Sequence, residues 1–509
     1  MMQPVENLEA RADELVDLAS ERLGGAVLYA NDEFFASKDN LLRTAPPVFL
    51  EGKYTDRGKW MDGWETRRRR TPGHDFCLIR LGLPGLLRIV VVDTTHFRGN
   101  FPQSCSIDAC AARGHASPQE LLSADTHWTE VLPRSPLRGD SRNGFAIDEA
   151  RGGMRRFTHL RLNIYPDGGV ARLRVYGEVV PDSRWLRRGE VDLAAIENGG
   201  RVIGCSDMFF GSRHNLILPG PSLHMGDGWE TRRSRGEGPD WVVVRLAAQG
   251  IIHTVEVDTA HFKGNAPDSC ALAGMDALAH PGADPLAADA PYGEILPRTP
   301  LVPHTRHLFE QELVSHMPVT HVRFAIYPDG GVSRLRLWGT LTPAGRATQG
   351  LLWLNTLDDK EAEQALLACC GARSWARHMA ARRPFADMAM LRQAAREVFD
   401  MLQPQDWLDA FAAHPRIGER PQGLGASARW SAEEQAGVAA EAEAFVAANR
   451  EYEARFGHLF IACAAGKSAA ELLAMLRARM SNSPEVELRV AAEEQRRITD
   501  LRLEKLVMQ

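Results

Sequence analysis

What the sequence lacks narrows its function before any motif is read. No run of about eighteen apolar residues occurs, so no transmembrane helix is expected. The start, Met-Met-Gln-Pro-Val-Glu, leads into a polar, acidic helical pattern without a charged-then-apolar leader. The eight cysteines show no CxxC spacing, and Cys369 and Cys370 are adjacent within a helical pattern. Reduced, mostly buried thiols of a cytoplasmic protein are expected, rather than a disulfide framework or a zinc site. There is no basic excess either: 60 Lys and Arg against 66 Asp and Glu leave a formal net charge of -6. That balance argues against a nucleic-acid partner, whose binding needs a basic surface. What is present is an ordinary globular composition, 44% hydrophobic and 25% charged, in a chain of 509 residues. One hydrophobic core does not organise such a length, and two to four domains are expected.

The chain is internally duplicated. Gly24-Gly25 and Asn31-Asp32-Glu33-Phe34-Phe35 return as Gly199-Gly200 and Ser206-Asp207-Met208-Phe209-Phe210, and both copies continue to an Asn-Leu pair, Asn40-Leu41 and Asn215-Leu216. Asp62-Gly63-Trp64-Glu65-Thr66-Arg67-Arg68 returns as Asp227-Gly228-Trp229-Glu230-Thr231-Arg232-Arg233, and Val92-Asp93-Thr94-Thr95-His96-Phe97 as Val257-Asp258-Thr259-Ala260-His261-Phe262. The last two blocks share an offset of 165 residues. Leu132-Pro133-Arg134 with Leu296-Pro297-Arg298, and Tyr165-Pro166-Asp167-Gly168-Gly169 with Tyr327-Pro328-Asp329-Gly330-Gly331, complete the series. A repeat this long is a whole domain rather than a solenoid unit.

Within each copy the readable segments are short strands: Phe76 to Leu81, Leu86 to Asp93, Leu160 to Tyr165 and Ala171 to Gly177, then Trp241 to Leu246, Ile251 to Asp258, Val322 to Tyr327 and Val332 to Gly339. Gly, Pro and Asp separate them, and Pro-Asp-Gly-Gly reads as a hairpin turn. Beyond about residue 345 the sequence becomes rich in Ala, Glu and Arg with three-and-four apolar spacing, as in Ala469-Leu472-Leu473-Leu476 and Ile498-Leu501-Leu503-Leu506. Helix breaks are expected at Arg383-Pro384, at His414-Pro415 and through Gly418 to Arg429. The predicted architecture is two tandem all-β jelly-roll or β-sandwich (galactose-binding-like) domains, 1–185 (with a short N-terminal helix) and 195–342, followed by an all-α helical bundle, 348–509.

The duplicated blocks resemble the allantoicase family, in which two similar jelly rolls in one chain hydrolyse allantoate to (S)-ureidoglycolate and urea. The resemblance implies a substrate with one carboxylate and two ureido groups. Arg67, Arg68, Arg232 and Arg233 are guanidinium donors suited to a carboxylate. Asp62, Glu65, Asp227 and Glu230 are acceptors for ureido N–H groups, and Asp93 with His96 and Asp258 with His261 are candidate acid/base pairs at strand ends. The alternative for the run Arg67 to Arg70 is a solvated strand end. Trp64, Trp229, Phe97 and Phe262 read as core, Asp167 and Asp329 as turn formers, and Asn100 and Asn265 are read neither way. A divalent metal is left open, since a His and an Asp three apart supply two ligands and the sequence does not show a third.

The segment from about 350 to 507 resembles the decarboxylases that convert 2-oxo-4-hydroxy-4-carboxy-5-ureidoimidazoline (OHCU) to (S)-allantoin. The resemblance is carried by Cys370-Gly371, Ser374-Trp375, Met379, His414-Pro415-Arg416-Ile417-Gly418, Ser431, Glu434-Gln435, Gly437, Asn449 to Gly457, Phe460-Ile461 and Leu501-Arg502-Leu503. It implies His414 as catalytic histidine, Glu434 as substrate-positioning glutamate and Arg502 as anchoring arginine, with Pro415, Gln435, Arg416, Phe460 and Ile461 lining the pocket. A histidine near its pKa exchanges a proton with the ring after carbon dioxide leaves, arginine holds an anionic group, and no cofactor is needed because the conjugated ring is the electron sink. The two resemblances belong to one route of urate breakdown, so a bifunctional, cytoplasmic, homo-oligomeric enzyme acting on small molecules is expected. The alternative is that the β repeats are a non-catalytic ligand-binding module, or a hydrolase for another ureido substrate, tethered to an active decarboxylase.

Overall fold

A computed structural model of the chain describes residues 8, 12, 15–112, 114–148, 153–182, 186, 189–233, 238–417, 426–434 and 442–508, with the backbone alone at 434, 442 and 443. The chain divides into two compact units, Met1–Gly345 and Arg346–Gln509.

The first unit holds two antiparallel β-sandwiches of the same design. Each is organised by one nineteen-residue strand, Asp75–Asp93 in the first repeat and Asp240–Asp258 in the second. The first half of Asp75–Asp93 pairs with Ala26–Ala30 and Phe157–Tyr165, and its second half with Arg142–Ala146 and Arg172–Val179. Ser104–Cys110 and Thr129–Pro136 extend the first layer, and Val16–Asp17 the second. The sequence predicts two strands here; the structure makes them one, bent through Gly82-Leu83-Pro84-Gly85 where the register shifts. At that corner a Cβ on Gly85 would lie 2.2 Å from the Glu178 carbonyl oxygen, so the backbones cross only because the residue is glycine. The second repeat bends at Gly250 in the same way, with the order of its strands preserved. Alternate residues such as Cys77, Ile79, Val90 and Val92 face inward, and one apolar cluster runs through both sandwiches.

The Pro-Asp-Gly-Gly segment is not the predicted hairpin. Phe157–Tyr165 and Arg172–Val179 pair with opposite halves of the long strand, and Gly169–Val170 pairs instead with Trp64–Glu65. Its glycines serve close approach: Gly168 has φ 139°, and a Cβ on Gly169 would stand 2.0 Å from the Phe97 ring. This crossing loop brings the Asp62–Arg68 block, the Asp93–Asn100 block and the Gly-Gly pair to one end of each sandwich. Trp64, Trp229, Phe97 and Phe262 are fully buried, as read from the sequence.

The second unit is helical: Asp359–Cys370, Arg373–Ala381, Met388–Asp400, Pro404–Ala412, Ala426–Glu434, Ala442–Phe456, Ala469–Arg479 and Pro484–Met508 follow one another. Asp358, Asp387 and Ser468 cap helix N-termini through side-chain oxygens, and Gly371 closes Asp359–Cys370 at φ 84°. Breaks fall at Arg383-Pro384 and His414-Pro415 as expected. In the Gly418 to Arg429 stretch, 418–425 lie outside the described residues, whereas Ala426–Arg429 already belong to a helix, since no Gly or Pro follows Gly425. Leu472, Leu473, Leu476, Ile498, Leu503 and Leu506 are buried, but Leu501 is exposed. No described helix is long and apolar enough to cross a membrane.

Candidate active sites

In the first sandwich a buried ion pair sits beneath the loop 43–50. Arg172, 2% exposed, donates from Nη2 to Asp62 Oδ2 (2.7 Å), from Nη1 to the Asp62 carbonyl (3.0 Å) and from Nε to the Ala45 carbonyl (2.9 Å). The Val48 N–H adds a 3.0 Å bond to Asp62 Oδ2. The second sandwich repeats this bond for bond: Arg334 donates to Asp227 Oδ2 (3.0 Å), to its carbonyl (2.6 Å) and to the Gly220 carbonyl (3.0 Å), and the Leu223 N–H donates to Asp227 Oδ2 (3.1 Å). Burial pushes the Asp62 carboxyl up, but its bonds to Arg172 and Val48 prevail and hold it below the ordinary value, so it is an anion. Burial and the neighbouring Arg336 cation lower Arg334 to about 10, still protonated at neutral pH.

The copies differ in the arginine that stands beside the other carboxylate oxygen. Asp62 Oδ1 is buried without a hydrogen-bond partner, with Arg43 Nη1 3.7 Å away. Asp227 Oδ1 is likewise buried without a hydrogen-bond partner, but it is in ion-pair contact with the guanidinium of Arg22, which comes from the first repeat and whose Nη1 donates to Asn215 Oδ1 (3.3 Å).

His96 and His261 both adopt positive φ, 72° and 71°. Their backbone N–H groups donate to Asp140 Oδ1 and His304 Nδ1, both at 2.8 Å, and their Nε2 atoms reach the carbonyls of Pro47 (3.2 Å) and Ser222 (3.0 Å). Each histidine thereby clamps the loop over the buried ion pair. Asp93 and Asp258 accept the N–H two residues on, from Thr95 and Ala260. Among the described residues no hydrogen bond joins Asp93 to His96 or Asp258 to His261, so the expected pairs do not form in this structure; the three-residue spacing closes a turn instead. Glu65 accepts from Asn100 Nδ2 (2.7 Å) and Glu230 from Asn265 Nδ2 (2.5 Å), which gives the unread asparagines a partner in each copy. Burial raises the Glu65 carboxyl and Asn100 offsets part of the rise. Arg67 and Arg232 are exposed and pair with Asp32 and Asp207 (2.7 and 3.1 Å at Nε), lying over Phe34 and Phe209. Arg68 and Arg233 are exposed, apart from the buried pairs. Asp167 accepts from the Arg69 N–H (2.8 Å), a turn role. No group of three or more His, Cys, Asp or Glu side chains is gathered as a metal site among the described residues.

In the helical unit His414, Pro415, Ile417, Ser431, Phe460, Ile461, Ala462, Ala464 and Ile498 line one pocket. Arg502, 2% exposed, donates to Ser431 Oγ (2.8 Å) and Ser427 Oγ (3.4 Å). His414 Nε2 is buried without a hydrogen-bond partner. Burial above all, and then the Arg502 cation, lower its pKa to about 3, with Gln495 acting weakly the other way. The histidine is therefore a neutral imidazole across physiological pH, not a group poised near its pKa as the sequence reading held. Arg416 is also placed differently: its guanidinium pairs with Glu453 (2.7 and 3.0 Å) outside the pocket lining. Gln435 and the side chain of Glu434 lie outside the described residues. A buried network supports the segment 460–464: Arg479 donates to the Ile461 carbonyl (2.8 Å) and to Glu487, and lies over Phe460, while Glu494 accepts the Cys463 N–H (2.8 Å).

Sequence reasoning assigns no site role to the pair Arg172 and Arg334 or to Gln495, and it reads Asn40, Asn215 and Ser431 only as members of repeated or family blocks. A signal existed for the first pair, because Arg-Leu-Arg follows Gly-Gly-Val and one small residue in both copies.

Fold and site together define a duplicated β-sandwich protein, with a buried Asp–Arg pair in each copy, joined to a helical domain with a histidine pocket. A family model described as the allantoicase repeat matches residues 16–180 and again 191–342, and one described as OHCU decarboxylase matches 355–504. The chain belongs to the allantoicase family, and its C-terminal part is an OHCU decarboxylase domain. A probable allantoicase 2 of Burkholderia pseudomallei is 48% identical over 338 residues, 66% of this chain and 97% of that protein. The crystal structure of an allantoicase from Saccharomyces cerevisiae is 34% identical, covers 67% of this chain and 99% of its own, and gives a TM-score of 0.56. A structure described as OHCU decarboxylase in the presence of (S)-allantoin is 33% identical over 29% of this chain and 99% of its own, with a TM-score of 0.26; the family of the helical domain rests on the model match.

Proposed function

We propose that the chain is a bifunctional enzyme of urate breakdown, whose β unit hydrolyses allantoate to (S)-ureidoglycolate and urea and whose helical domain decarboxylates OHCU to (S)-allantoin. The observation that carries the reading is the match of two allantoicase repeats and one OHCU decarboxylase domain in a single chain. In allantoate one carbon bears the carboxylate and both ureido groups. Water adds its oxygen to that carbon, one C–N bond breaks, and the departing nitrogen takes a proton to leave as urea. Guanidinium groups to hold the carboxylate and acceptors for ureido N–H groups are concentrated where the repeated blocks converge. In the helical pocket a neutral His414 is available to accept a proton, becoming a cation whose charge is offset by the anionic substrate that Arg502 holds.

The setting proposed is a cytoplasmic homo-oligomer that needs no cofactor for decarboxylation and has no nucleic-acid partner. Purified full-length protein should release urea from allantoate and carbon dioxide from OHCU, and the urea assay repeated with a chelator reports on metal dependence. Allantoate binding without urea release would favour the binding-module reading, and urea from a different ureido acid alone would favour another hydrolase.

A further inference from the structure

The guanidinium of Arg22 marks what the buried Asp–Asn acceptor pair is shaped to hold. In the second repeat Asn215 Nδ2 is committed to the Gly228 carbonyl (2.9 Å) and Asp227 Oδ2 to Arg334 (3.0 Å), which leaves Asn215 Oδ1 and Asp227 Oδ1 as acceptors. The two terminal nitrogens of Arg22, a planar N–C–N fork, face them: Nη1 donates to Asn215 Oδ1 (3.3 Å) and Nη2 is in ion-pair contact with Asp227 Oδ1, which has no hydrogen bond of its own. In the first repeat Asn40 Nδ2 is committed to the Gly63 carbonyl (3.0 Å) and Asp62 Oδ2 to Arg172 (2.7 Å). Among the described residues no donor is hydrogen-bonded to Asn40 Oδ1 or Asp62 Oδ1, although Asp62 is 7% exposed. A buried carboxylate oxygen without a donor is costly, and a ligand carrying N–H groups removes the cost.

The second difference lies one turn further on. Position 43 is arginine in the first repeat, 51% exposed and 3.7 Å from Asp62 Oδ1, and its counterpart in the second is Leu218. The counterpart of Arg22 in the second repeat is Glu197, itself an acceptor with no N–H to give. So the first repeat presents an acceptor pair with an exposed arginine beside it, and in the second the guanidinium of Arg22 lies across the same pair.

We infer that the Asn40–Asp62 acceptor pair, with Arg43 beside it, is the subsite that takes a ureido group and the adjoining carboxylate of the substrate, and that the second repeat's copy is permanently occupied by Arg22. A ureido group carries the same planar N–C–N fork as a guanidinium, and Arg43 supplies the cation its neighbouring carboxylate needs. The inference rests on the reading of the β unit as an allantoate hydrolase.

The test uses the full chain and initial rates of urea release from allantoate, with OHCU decarboxylation as a control on the same preparation. Asp62→Asn replaces an acceptor and is expected to lower kcat/KM by about 100-fold or more. Arg43→Leu, at an exposed position that leaves the ion pair intact, is expected to raise KM by about tenfold with little change in kcat. Arg22→Met is expected to keep kcat/KM within about twofold of wild type. Should Asp62→Asn lose its β circular-dichroism signal, the Arg43→Leu and Arg22→Met pair decides. A loss in Arg22→Met with Arg43→Leu at wild-type KM would place the site in the second repeat and overturn the inference. Silence of the wild-type protein itself on allantoate, with decarboxylation intact, would instead remove the hydrolase reading on which it stands.

Discussion

Asp62 and His414 are both buried titratable groups, and their surroundings drive them to opposite charge states. Asp62 is taken from water together with the guanidinium of Arg172, and the pair keeps it ionised. His414 is taken from water beside the Arg502 cation with no carboxylate bonded to it among the described residues, and it stays neutral. Burial favours the neutral form of both groups; at Asp62 the bonds to Arg172 and Val48 overcome it, whereas at His414 burial is the larger cause and the Arg502 cation adds to it. The β unit thus keeps a fixed anion for N–H recognition, and the helical unit keeps a proton acceptor available at neutral pH.

The largest expected effect is on the neutral side of this comparison. His414→Ala should reduce OHCU decarboxylation by about 100- to 10,000-fold while the helical circular-dichroism signal is unchanged; near-normal turnover would show that the pocket works without its imidazole. On the ionised side, Arg172→Leu leaves Asp62 buried without its partner and should cost about 3–5 kcal/mol in urea-induced unfolding, with the double variant Asp62→Leu/Arg172→Leu recovering much of the loss. Equal losses in single and double variants would mean that Arg172 acts through packing instead.

A subtler probe is pH. With its folded pKa lowered from 6.5 to about 3, His414 takes up a proton in the unfolded chain that the folded chain refuses. Its contribution to stability is therefore intact above pH 6.5 and lost as pH falls from there toward 3. The decarboxylation rate should likewise show no inflection near 6.5, and one that disappears in His414→Gln would contradict the neutral assignment. The smallest effect on stability is expected at the surface: Arg67→Ala, which breaks an exposed pair with Asp32, should change the free energy of unfolding by at most about 1 kcal/mol.

Much of the fold was legible because duplication doubles every signal. The strands, the helical domain and the buried aromatics were read from alternation, spacing and repeated blocks. The continuity of Asp75–Asp93 was not, since Gly82 and Pro84-Gly85 read as turn signals between two separate strands. Nor was the partner of Gly169–Val170, which is chosen by the fit of a glycine against the Phe97 ring. At the sites, the sequence pointed to Asp62, Asp227, His414 and Arg502, whose positions in the folded chain are buried or pocket-lining. It missed Arg172 and Arg334 because an arginine in a strand reads as solvated until its carboxylate, 110 and 107 residues away, is folded against it. The spacing of Asp93 and His96 suggested a pair, but a carboxylate two residues before a free N–H closes its own turn first.

The reach of Arg22 into the second sandwich also makes the two halves of the β unit non-interchangeable. A chain assembled from the second repeat twice would set a Glu197-type carboxylate where Arg22 now stands, bringing two acids toward one pocket. A chain assembled from the first repeat twice would carry a second arginine at position 43 beside the guanidinium already there. The order of the repeats is therefore written into the charge of a single side chain, and a duplication that began with equal halves became one that can be read in only one direction.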